Sequence, residues 1–304
     1  MKIFLLGSGS YMAQLLKKKI FKKNLKFIEY SRNKYEFIGA KTIFNKFDLH
    51  KKIPFFVKYA DVNEECIFIN FIGDYSLNKN NNFLNYGAIK KILLQIVNKN
   101  FKNKIHWIQL SSAGVYNIHI QKKFIEEDSE LKPTNTYEKS KLKIDNFIIN
   151  LSQKKNFTYT ILRPTSVVSN RMKSNYFYNL IKLIKKNLFF YIKDKNCIIN
   201  YCDINFLTEA LSKIIQSKKK NNIYVLSNTI YLRDLVKIYS KIPSLVFVLP
   251  LFFAKSISSI LSLFNIQTLT KSRVFWLTNT KIFSSKKIYK DFLIRPKNQI
   301  IRNI

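Results

Sequence analysis

The sequence predicts an α/β protein with a doubly wound parallel sheet and a smaller C-terminal lobe. Two observations predict this fold class. Short apolar segments alternate with segments of helical apolar spacing up to Pro164, the order that a parallel sheet with helices on both faces requires. All six glycines of the 304-residue chain lie within its first 114 residues, and two of them share one strand-to-helix turn. We therefore expect a sheet domain over residues 1–165. Residues 166–304 should form mostly the lobe, with some segments returning to the sheet.

The predicted elements follow from apolar spacing along the chain. Strands are expected at 2–6, 27–31, within 43–49, and at 66–72, 105–110 and 157–162. Helices are expected at 11–19, 85–97, 136–152, 175–186 and 207–216. The segment 245–264 is very apolar, but Pro250 and Lys255 interrupt it, so a buried or surface-docking helix pair is favoured over a transmembrane helix.

The composition restricts the classes of partner. The net charge is +35, which invites a nucleic-acid interpretation. However, lysine dominates over arginine, and Lys, Asn, Ile, Phe and Tyr are all enriched, which is the pattern of an A/T-rich genome. We expect no nucleic-acid partner, with a polyanion or an anionic membrane surface as the alternative. Three scattered cysteines and three histidines predict no metal site, and an N-terminus without a basic leader predicts a cytoplasmic protein.

The first strand ends in a turn that predicts phosphate binding. Gly7 and Gly9 follow the strand, and Ser10, Tyr11 and Met12 open the first helix. A helix N-terminus offers free N–H groups and the positive end of its dipole to a pyrophosphate. This context is the one that a dinucleotide fingerprint requires. An ordinary glycine-rich turn remains the alternative.

The end of the second strand bears on the choice between NADP and NAD. An acid there would bind the ribose 2′-hydroxyl, whereas an arginine accommodates a 2′-phosphate. The chain has Ser31 and Arg32 at this point, and Glu29 lies deeper in the strand. We therefore expect NADP or NAD as cofactor, with NADP slightly favoured.

One tyrosine–lysine pair predicts proton-transfer chemistry. The spacing Tyr-x-x-x-Lys occurs six times, so the spacing alone carries little information. The pair Tyr137 and Lys141 differs from the others because of its distance from Ser112. Ser112 closes an apolar strand, and Tyr137 follows it by 25 residues. Residues four apart share a helix face, and a cation beside a tyrosine favours the phenolate that accepts a proton.

Several segments match, in order, the motifs of one family. They are Gly7 to Ala13, Asp48-Leu49, Phe71-Ile72-Gly73, Asn85-Tyr86-Gly87-Ala88, Ser111-Ser112-Ala113-Gly114-Val115-Tyr116, Pro133 with Tyr137-Glu138-Lys139-Ser140-Lys141, Leu162-Arg163-Pro164, and Phe283-Ser284-Ser285-Lys286. The chain thus resembles the extended short-chain dehydrogenases/reductases of the NAD-dependent epimerase/dehydratase type, which act on nucleotide sugars. It departs from the family pattern where Ser10 and Ala13 replace glycines, where Gly73 replaces an alanine, and where Ser166 stands in place of a common asparagine.

The resemblance implies a Rossmann domain and a role for each matching residue. Tyr137 would be the acid/base, Lys141 its activator and a ribose ligand, and Ser112 the clamp on the substrate oxygen. Cofactor contacts are implied for Gly7, Gly9, Ser10, Tyr11, Met12, Ser31, Arg32, Asp48, Leu49, Ile72, Gly73, Tyr137, Lys141 and Pro164. Substrate contacts are implied for Ser112, Ala113, Tyr137 and Ser166. A homodimer through helices 85–97 and 136–152 is also implied.

The resulting hypothesis is an NAD(P)-dependent epimerase or keto-reductase that acts on a nucleotide-linked sugar. The absence of an acid after Ser112, where Ala113 and Gly114 stand, argues against a 4,6-dehydratase. The alternative is a catalytically inactive nucleotide-binding subunit with a structural or regulatory role. Retention of Ser112, Tyr137 and Lys141 weighs against that alternative.

Overall fold

A computed structural model gives the fold. It describes residues 1–20, 26–32, 42–46, 64–73, 83–98, 104–154, 156–171, 176–242, 246–263, 274, 277–278 and 280–297. Within these residues, seven strands form one sheet in which every neighbouring pair is parallel. The predicted fold class, a doubly wound parallel sheet, is confirmed.

The strands are, in chain order, β1 (Lys2–Leu6), β2 (Lys26–Ser31), β3 (Thr42–Lys46), β4 (Cys66–Asn70), β5 (Ile105–Leu110), β6 (Phe124–Ile125), β7 (Phe157–Pro164), β8 (Ser166–Val168), β9 (Tyr191–Ile192), β10 (Ile198–Asp203), β11 (Asn222–Leu226), β12 (Asn228–Tyr231), β13 (Val248–Leu249) and β14 (Ile282–Phe283). The main sheet has the order β3-β2-β1-β4-β5-β7-β11. Successive strands are added on one side of β1 as far as β3, and from β4 onward they are added on the other side. The strand order therefore switches between β1 and β4. Such a switch point is where open α/β sheets bind ligands, beyond the carboxyl ends of the strands.

The helices are α1 (Tyr11–Ile20), α2 (Ala88–Val97), α3 (Thr136–Leu151), α4 (Tyr176–Lys185), α5 (Ile204–Ile215), α6 (Leu232–Tyr239), α7 (Leu251–Leu263) and α8 (Lys286–Phe292). They cover both faces of the sheet. Successive residues of a strand point to opposite faces, so an apolar strand presents apolar side chains on each face. Ile3 and Leu5 of β1 belong to a buried cluster with α1 and α5. Phe4 and Leu6 belong to a second cluster with α2 and α3. The continuously apolar β1 is thus buried on both faces, as a parallel strand must be.

Most predicted boundaries agree with the structure to within a few residues, and the differences have local causes. Helix α5 begins at Ile204 rather than 207, because the side chain of Asp203 accepts a hydrogen bond from the N–H of Asn205 at 2.7 Å and caps the helix. Helix α2 is preceded by a π-helical turn, Phe83–Gly87, where the sequence predicts the start of the helix.

The C-terminal part of the chain contributes both to the main sheet and to smaller sheets. Strand β11 pairs with β7 at one edge of the main sheet, and α5 packs beside α1. Three smaller sheets are formed by β12-β10-β8, by β13-β9 and by β14-β6. The division into 1–165 and 166–304 stays a prediction. Among the described residues, no helix has both the length and the apolar character that crossing a membrane requires.

Candidate active site

The loops after β1 and β4 meet at the switch point of the sheet. Gly7 has a φ of +77°, a conformation that side chains disfavour. A Cβ at Gly7 would also lie 3.2 Å from the backbone N of Ile72 and 3.2 Å from the carbonyl carbon of Phe71. Gly7 is therefore required both by its backbone conformation and by close packing against the next loop. The structure brings Gly7 and Ile72 together, as the cofactor prediction requires.

Ser10 caps the helix that begins at this turn. Its Oγ accepts a hydrogen bond from the N–H of Ala13 at 3.2 Å, and Ala13 itself is fully buried. Tyr11 and Met12 form the first turn of α1. The guanidinium of Arg171 lies 5.2 Å from the centre of the Tyr11 ring. Two departures from the family pattern thus have structural roles, and Arg171 adds a cation that none of the sequence motifs indicates.

The end of β2 presents Ser31 and then the exposed Arg32. Glu29 does not reach this end, because it is buried and accepts two hydrogen bonds from the Lys17 ammonium group, at 2.9 and 3.0 Å. The acid of β2 is therefore committed to an internal ion pair. Lys46, at the end of β3, stands in register with Ser31 and is exposed, which places a second cation beside Arg32. Asp48 and Leu49 lie outside the described residues.

Helix α3 holds Tyr137 and Lys141. The helix starts with a capping box, in which the Asn135 side chain accepts from the Glu138 N–H and the Glu138 side chain accepts from the Asn135 N–H. Tyr137 is half-buried in the first turn, and Lys141 follows one turn later with 3% of its surface exposed. The Lys141 Nζ lies 5.6 Å from the centre of the Tyr137 ring. The capping box thus fixes the start of the helix close to the pair.

Lys141 connects three elements of the site. Its Nζ donates a hydrogen bond to the carbonyl of Leu110, the last residue of β5, at 3.1 Å. The same Nζ lies 3.2 Å from the position that a Cβ would take at Gly73, in the loop after β4. The glycine in place of the family's alanine therefore leaves room for the lysine. Lys141 joins the end of β5, the loop after β4 and the tyrosine helix.

Burial changes the acid–base behaviour of Lys141. Desolvation lowers the pKa of Lys141 to about 8, and the charge of Asp145, one turn further along α3, opposes this shift. Two opposing effects therefore set the pKa of the Lys141 ammonium group close to neutral pH. A buried lysine with a lowered pKa beside a half-buried tyrosine is typical of a site for proton transfer.

The structure distinguishes the two serines at the end of β5. The Ser111 hydroxyl is buried and donates a hydrogen bond to Asp145 Oδ2 at 2.8 Å. Ser112 is half-buried, and its Oγ accepts a hydrogen bond from the Gly114 N–H at 3.1 Å, which caps a single 3₁₀ turn. Ser111 is occupied within the interior, so Ser112 is the serine that a substrate could reach. This geometry favours the predicted choice of Ser112.

A buried polar network below the lysine was not predicted. Asp145 Oδ2 also accepts from the Arg163 Nε at 3.1 Å, and Arg163 Nη1 donates to the Tyr116 hydroxyl at 2.9 Å. Burial raises the pKa of Asp145, against the opposing effects of Arg163, Ser111 and Lys141. Burial also raises the pKa of Tyr116 to about 12, so its hydroxyl stays protonated. The sequence signal was present, because Asp145 lies four residues after Lys141 and hence on the same helix face.

The remaining predicted residues lie near the carboxyl ends of the strands. Ala113 is buried in the turn after β5, Pro164 ends β7, and Ser166 begins β8 with part of its surface exposed. The structure directly links Gly7 with Ile72, Gly73 with Lys141, and Lys141 with Tyr137. Within the described residues, no three His, Cys, Asp or Glu side chains form a group that could hold a metal ion.

A parallel sheet with a glycine turn at its switch point, followed by a Ser…Tyr-x-x-x-Lys arrangement, defines a Rossmann-type protein of the short-chain dehydrogenase/reductase class. Comparison with known proteins leads to the same class. The chain belongs to the NAD-dependent epimerase/dehydratase family, whose model matches residues 9–227. No curated protein sequence matches the chain.

Solved structures share the whole fold at low sequence identity. A UDP-glucose 4-epimerase is 18% identical, with a TM-score of 0.70, over 99% of this chain and 95% of the other. UDP-glucuronic acid 4-epimerase from Bacillus cereus, in complex with UDP-glucuronic acid and NAD, is 12% identical, with a TM-score of 0.72, over 99% and 96%. RMD from Pseudomonas aeruginosa, complexed with NADPH, is 12% identical, with a TM-score of 0.64, over 99% and 96%. At these identities the likeness establishes the fold.

Proposed function

We propose that this chain is an NAD(P)-dependent epimerase or keto-reductase that acts on a nucleotide-linked sugar. The observation that carries the proposal is the position of Lys141. Its buried ammonium group contacts the end of β5, adjoins the loop after β4 and lies 5.6 Å from the Tyr137 ring centre. Burying a lysine ammonium group costs desolvation free energy. This burial is explained if the group interacts with both the tyrosine and a bound cofactor.

The residues at the switch point fit a dinucleotide. Gly7 leaves the turn free of a side chain, and the start of α1 offers the N-terminal N–H groups of a helix to a pyrophosphate. Gly7, Gly9, Ser10, Tyr11 and Met12 would hold the pyrophosphate. At the other end of the site, Ile72, Gly73, Lys141 and Pro164 would hold the nicotinamide half, with Lys141 on its ribose. A bound nicotinamide would supply or accept the hydride.

The chain's own residues would handle the proton and the substrate oxygen. Tyr137 would take the proton of a sugar hydroxyl when the carbon is oxidised and return it when a carbonyl is reduced. The Lys141 charge would stabilise the phenolate, and the Ser112 hydroxyl would hold the reacting oxygen. Ala113 and Ser166 would line the sugar side. An epimerase would pass through a transient 4-keto sugar, whereas a reductase would stop after one reduction.

NADP is the cofactor that the end of β2 favours. Arg32 is exposed there, Lys46 lies on the adjacent strand, and Glu29 is held by Lys17. A 2′-phosphate would meet two cations, while a 2′-hydroxyl would find no carboxylate from Glu29. The proteins of the same fold include one complexed with NAD and one complexed with NADPH, so both cofactors belong in the test.

The test begins with binding and proceeds to turnover. A thermal-shift screen of the purified protein against NAD, NADP and a panel of UDP-, GDP- and dTDP-sugars should identify one cofactor and one nucleotide series that raise Tm. The stabilising pair is then assayed for sugar conversion in both directions. Stabilisation by a cofactor without turnover of any sugar would favour the inactive-subunit hypothesis. No stabilisation by either cofactor would refute the proposal.

We also propose a homodimer through α2 and α3. Both helices keep apolar side chains that are only partly buried, including Leu94 and Val97 on α2 and Leu142, Phe147 and Ile149 on α3. Two copies of this helix pair would form a four-helix bundle that buries them. Light scattering at micromolar concentration should give twice the mass of the chain, and a monomer would refute the assembly.

A further inference from the structure

The part of the chain predicted as the C-terminal lobe exposes several large apolar side chains. Phe252 and Phe253, in the first turn of α7, are 74% and 56% exposed, and Phe247 before β13 is 59% exposed. Leu188 and Ile257 are exposed as well. We call these five residues the apolar patch. Isolated exposed apolar residues are ordinary, but three phenylalanines within seven positions indicate a binding surface.

The patch is held on a defined backbone. The N–H of Tyr191 donates to the carbonyl of Phe247 at 2.9 Å, which continues the pairing of β9 with β13. The Phe247 ring stacks on Phe190, with centroids 5.4 Å apart, and Leu188 lies two residues before Phe190. The Phe252 and Phe253 rings contact each other edge to face at 5.8 Å. The patch thus joins the segment after α4 to the start of α7.

Exposed cations are frequent in the two segments that carry these apolar side chains. The two segments that carry the patch, 182–195 and 234–257, contain eight lysines and two aspartates. The lysines are Lys182, Lys185, Lys186, Lys193, Lys195, Lys237, Lys241 and Lys255, and all eight are exposed. The Lys185 ammonium lies 5.1 Å from the Tyr239 ring centre, and Ser240 donates to Asn187 at 3.4 Å, so the two segments are close in space. Exposed apolar and basic groups therefore lie on the same two adjoining segments.

From this combination we propose that the apolar patch docks the lobe on the surface of an anionic phospholipid bilayer, with its phenylalanines at the acyl boundary and its lysines at the headgroups. Protruding aromatic side chains within a basic surface are what interfacial binding requires. A second copy of the chain would bring another set of lysines against the first, and the like charges would oppose that contact. Bilayer docking does not depend on the reaction at Tyr137.

Vesicle flotation of the full chain tests the proposal. The protein should float with vesicles that contain phosphatidylglycerol, bind vesicles of phosphatidylcholine alone about tenfold less, and be released by high salt. The double variant Phe252→Ser/Phe253→Ser should lose at least about tenfold in binding, because both apolar anchors are removed. Neutralisation by Lys186→Gln/Lys241→Gln/Lys255→Gln should weaken binding to the anionic vesicles by a similar factor.

Matched controls separate the patch from the overall charge. Leu293→Asn removes a 79% exposed apolar side chain elsewhere, at a left-handed position that asparagine tolerates, and should leave binding unchanged. Lys122→Gln/Lys143→Gln/Lys154→Gln removes three exposed cations outside the patch and should weaken binding less than the patch triple variant. Equal losses in patch and control variants would overturn the proposal, because charge alone would then account for binding.

Two further measurements test whether Phe252 enters the bilayer and whether a second copy covers the patch. Phe252→Trp should shift its added fluorescence to the blue and be quenched by brominated lipid when anionic vesicles are present. Absence of both effects would overturn docking through this residue, even if a serine variant failed to fold. Light scattering of the wild type and Phe252→Ser/Phe253→Ser tests whether a second copy of the chain covers the patch. A dimer that becomes a monomer only in the variant would make the patch a subunit interface and overturn the proposal.

Discussion

Asp145 and Arg163 form an ion pair in the interior, with Asp145 Oδ2 3.1 Å from Arg163 Nε and side chains that are 0% and 2% exposed. The pair lies one helical turn below Lys141 and also binds Ser111 and Tyr116. It therefore connects helix α3, which carries the candidate proton-transfer residues, to the end of β5 and to β7. Two buried charges attract strongly, but removing them from water costs free energy. If one partner is lost, the other is left as a buried charge without compensation.

Removing one partner of this pair should destabilise the protein more than removing both. Arg163→Met leaves a buried carboxylate without its partner and should lower the free energy of unfolding by about 3–5 kcal/mol. The double variant Asp145→Leu/Arg163→Met should recover most of that loss, because apolar side chains replace both charges. Urea denaturation of the three proteins measures the difference. A double variant that is less stable than Arg163→Met would contradict the prediction.

Lys141 should destabilise the folded protein at neutral pH. Its pKa is about 8 in the fold and 10.5 in the free side chain, so between these pH values the unfolded chain binds more protons and stability rises with pH. Below pH 8 the buried charge costs up to about 3 kcal/mol. Lys141→Met should therefore be more stable than wild type at pH 7, with an advantage that shrinks towards pH 10.5. Cofactor-free protein is used, with Lys143→Met, an exposed lysine on the same helix, as the control. A constant difference across this range would argue against burial of the charge.

Tyr137→Phe should leave the fold and cofactor binding intact while turnover falls by roughly 10²–10⁴-fold, the usual contribution of a general acid or base. Tyr191→Phe is the matched control, because Tyr191 also precedes a lysine by four residues and its ring centre lies 5.9 Å from Lys195 Nζ. Steady-state rates on the sugar identified by the binding screen give the comparison. Near wild-type turnover in Tyr137→Phe would show that another group transfers the proton.

Arg32→Asp should shift cofactor preference from NADP towards NAD. The loss of a charge-assisted hydrogen bond costs about 1.5–3 kcal/mol, so NADP affinity should fall by at least about tenfold. Dissociation constants for both cofactors are measured in wild type, Arg32→Asp and the control Lys213→Asp, which changes an exposed cation on α5. A wild type that already prefers NAD would refute the phosphate-binding role.

Gly73→Ala should reduce turnover by up to about tenfold, because the new methyl group would lie 3.2 Å from Lys141 Nζ and would shift the ammonium group by a few tenths of an ångström. The free energy of unfolding should change little, since Gly73 does not need a left-handed conformation. Unchanged turnover would show that Lys141 tolerates displacement or has no role in catalysis.

Much of the fold could be predicted because six of the seven main-sheet strands carry their own signal, whereas β11, in the region predicted to form mostly the lobe, was not predicted. The apolar runs in β1 and β4 indicate strands buried on both faces, and Gly7 indicates the turn that follows β1. The Tyr137–Lys141 pair was also separable from five similar pairs, because Ser112 and the family motifs stand in register with it. These signals lie within short segments of the chain, so they can be recognised without the tertiary structure.

The sequence by itself thus determined the fold class, and it predicted the phosphate-binding turn and the Ser112, Tyr137 and Lys141 set. Only the tertiary structure decided which polar groups are already occupied. Glu29 is committed to Lys17, Ser111 to Asp145, and Gly73 makes room for Lys141. The physical reason is that burial and pairing depend on residues distant in the chain. A charged side chain looks the same in sequence whether it faces water, a ligand or a buried counter-charge.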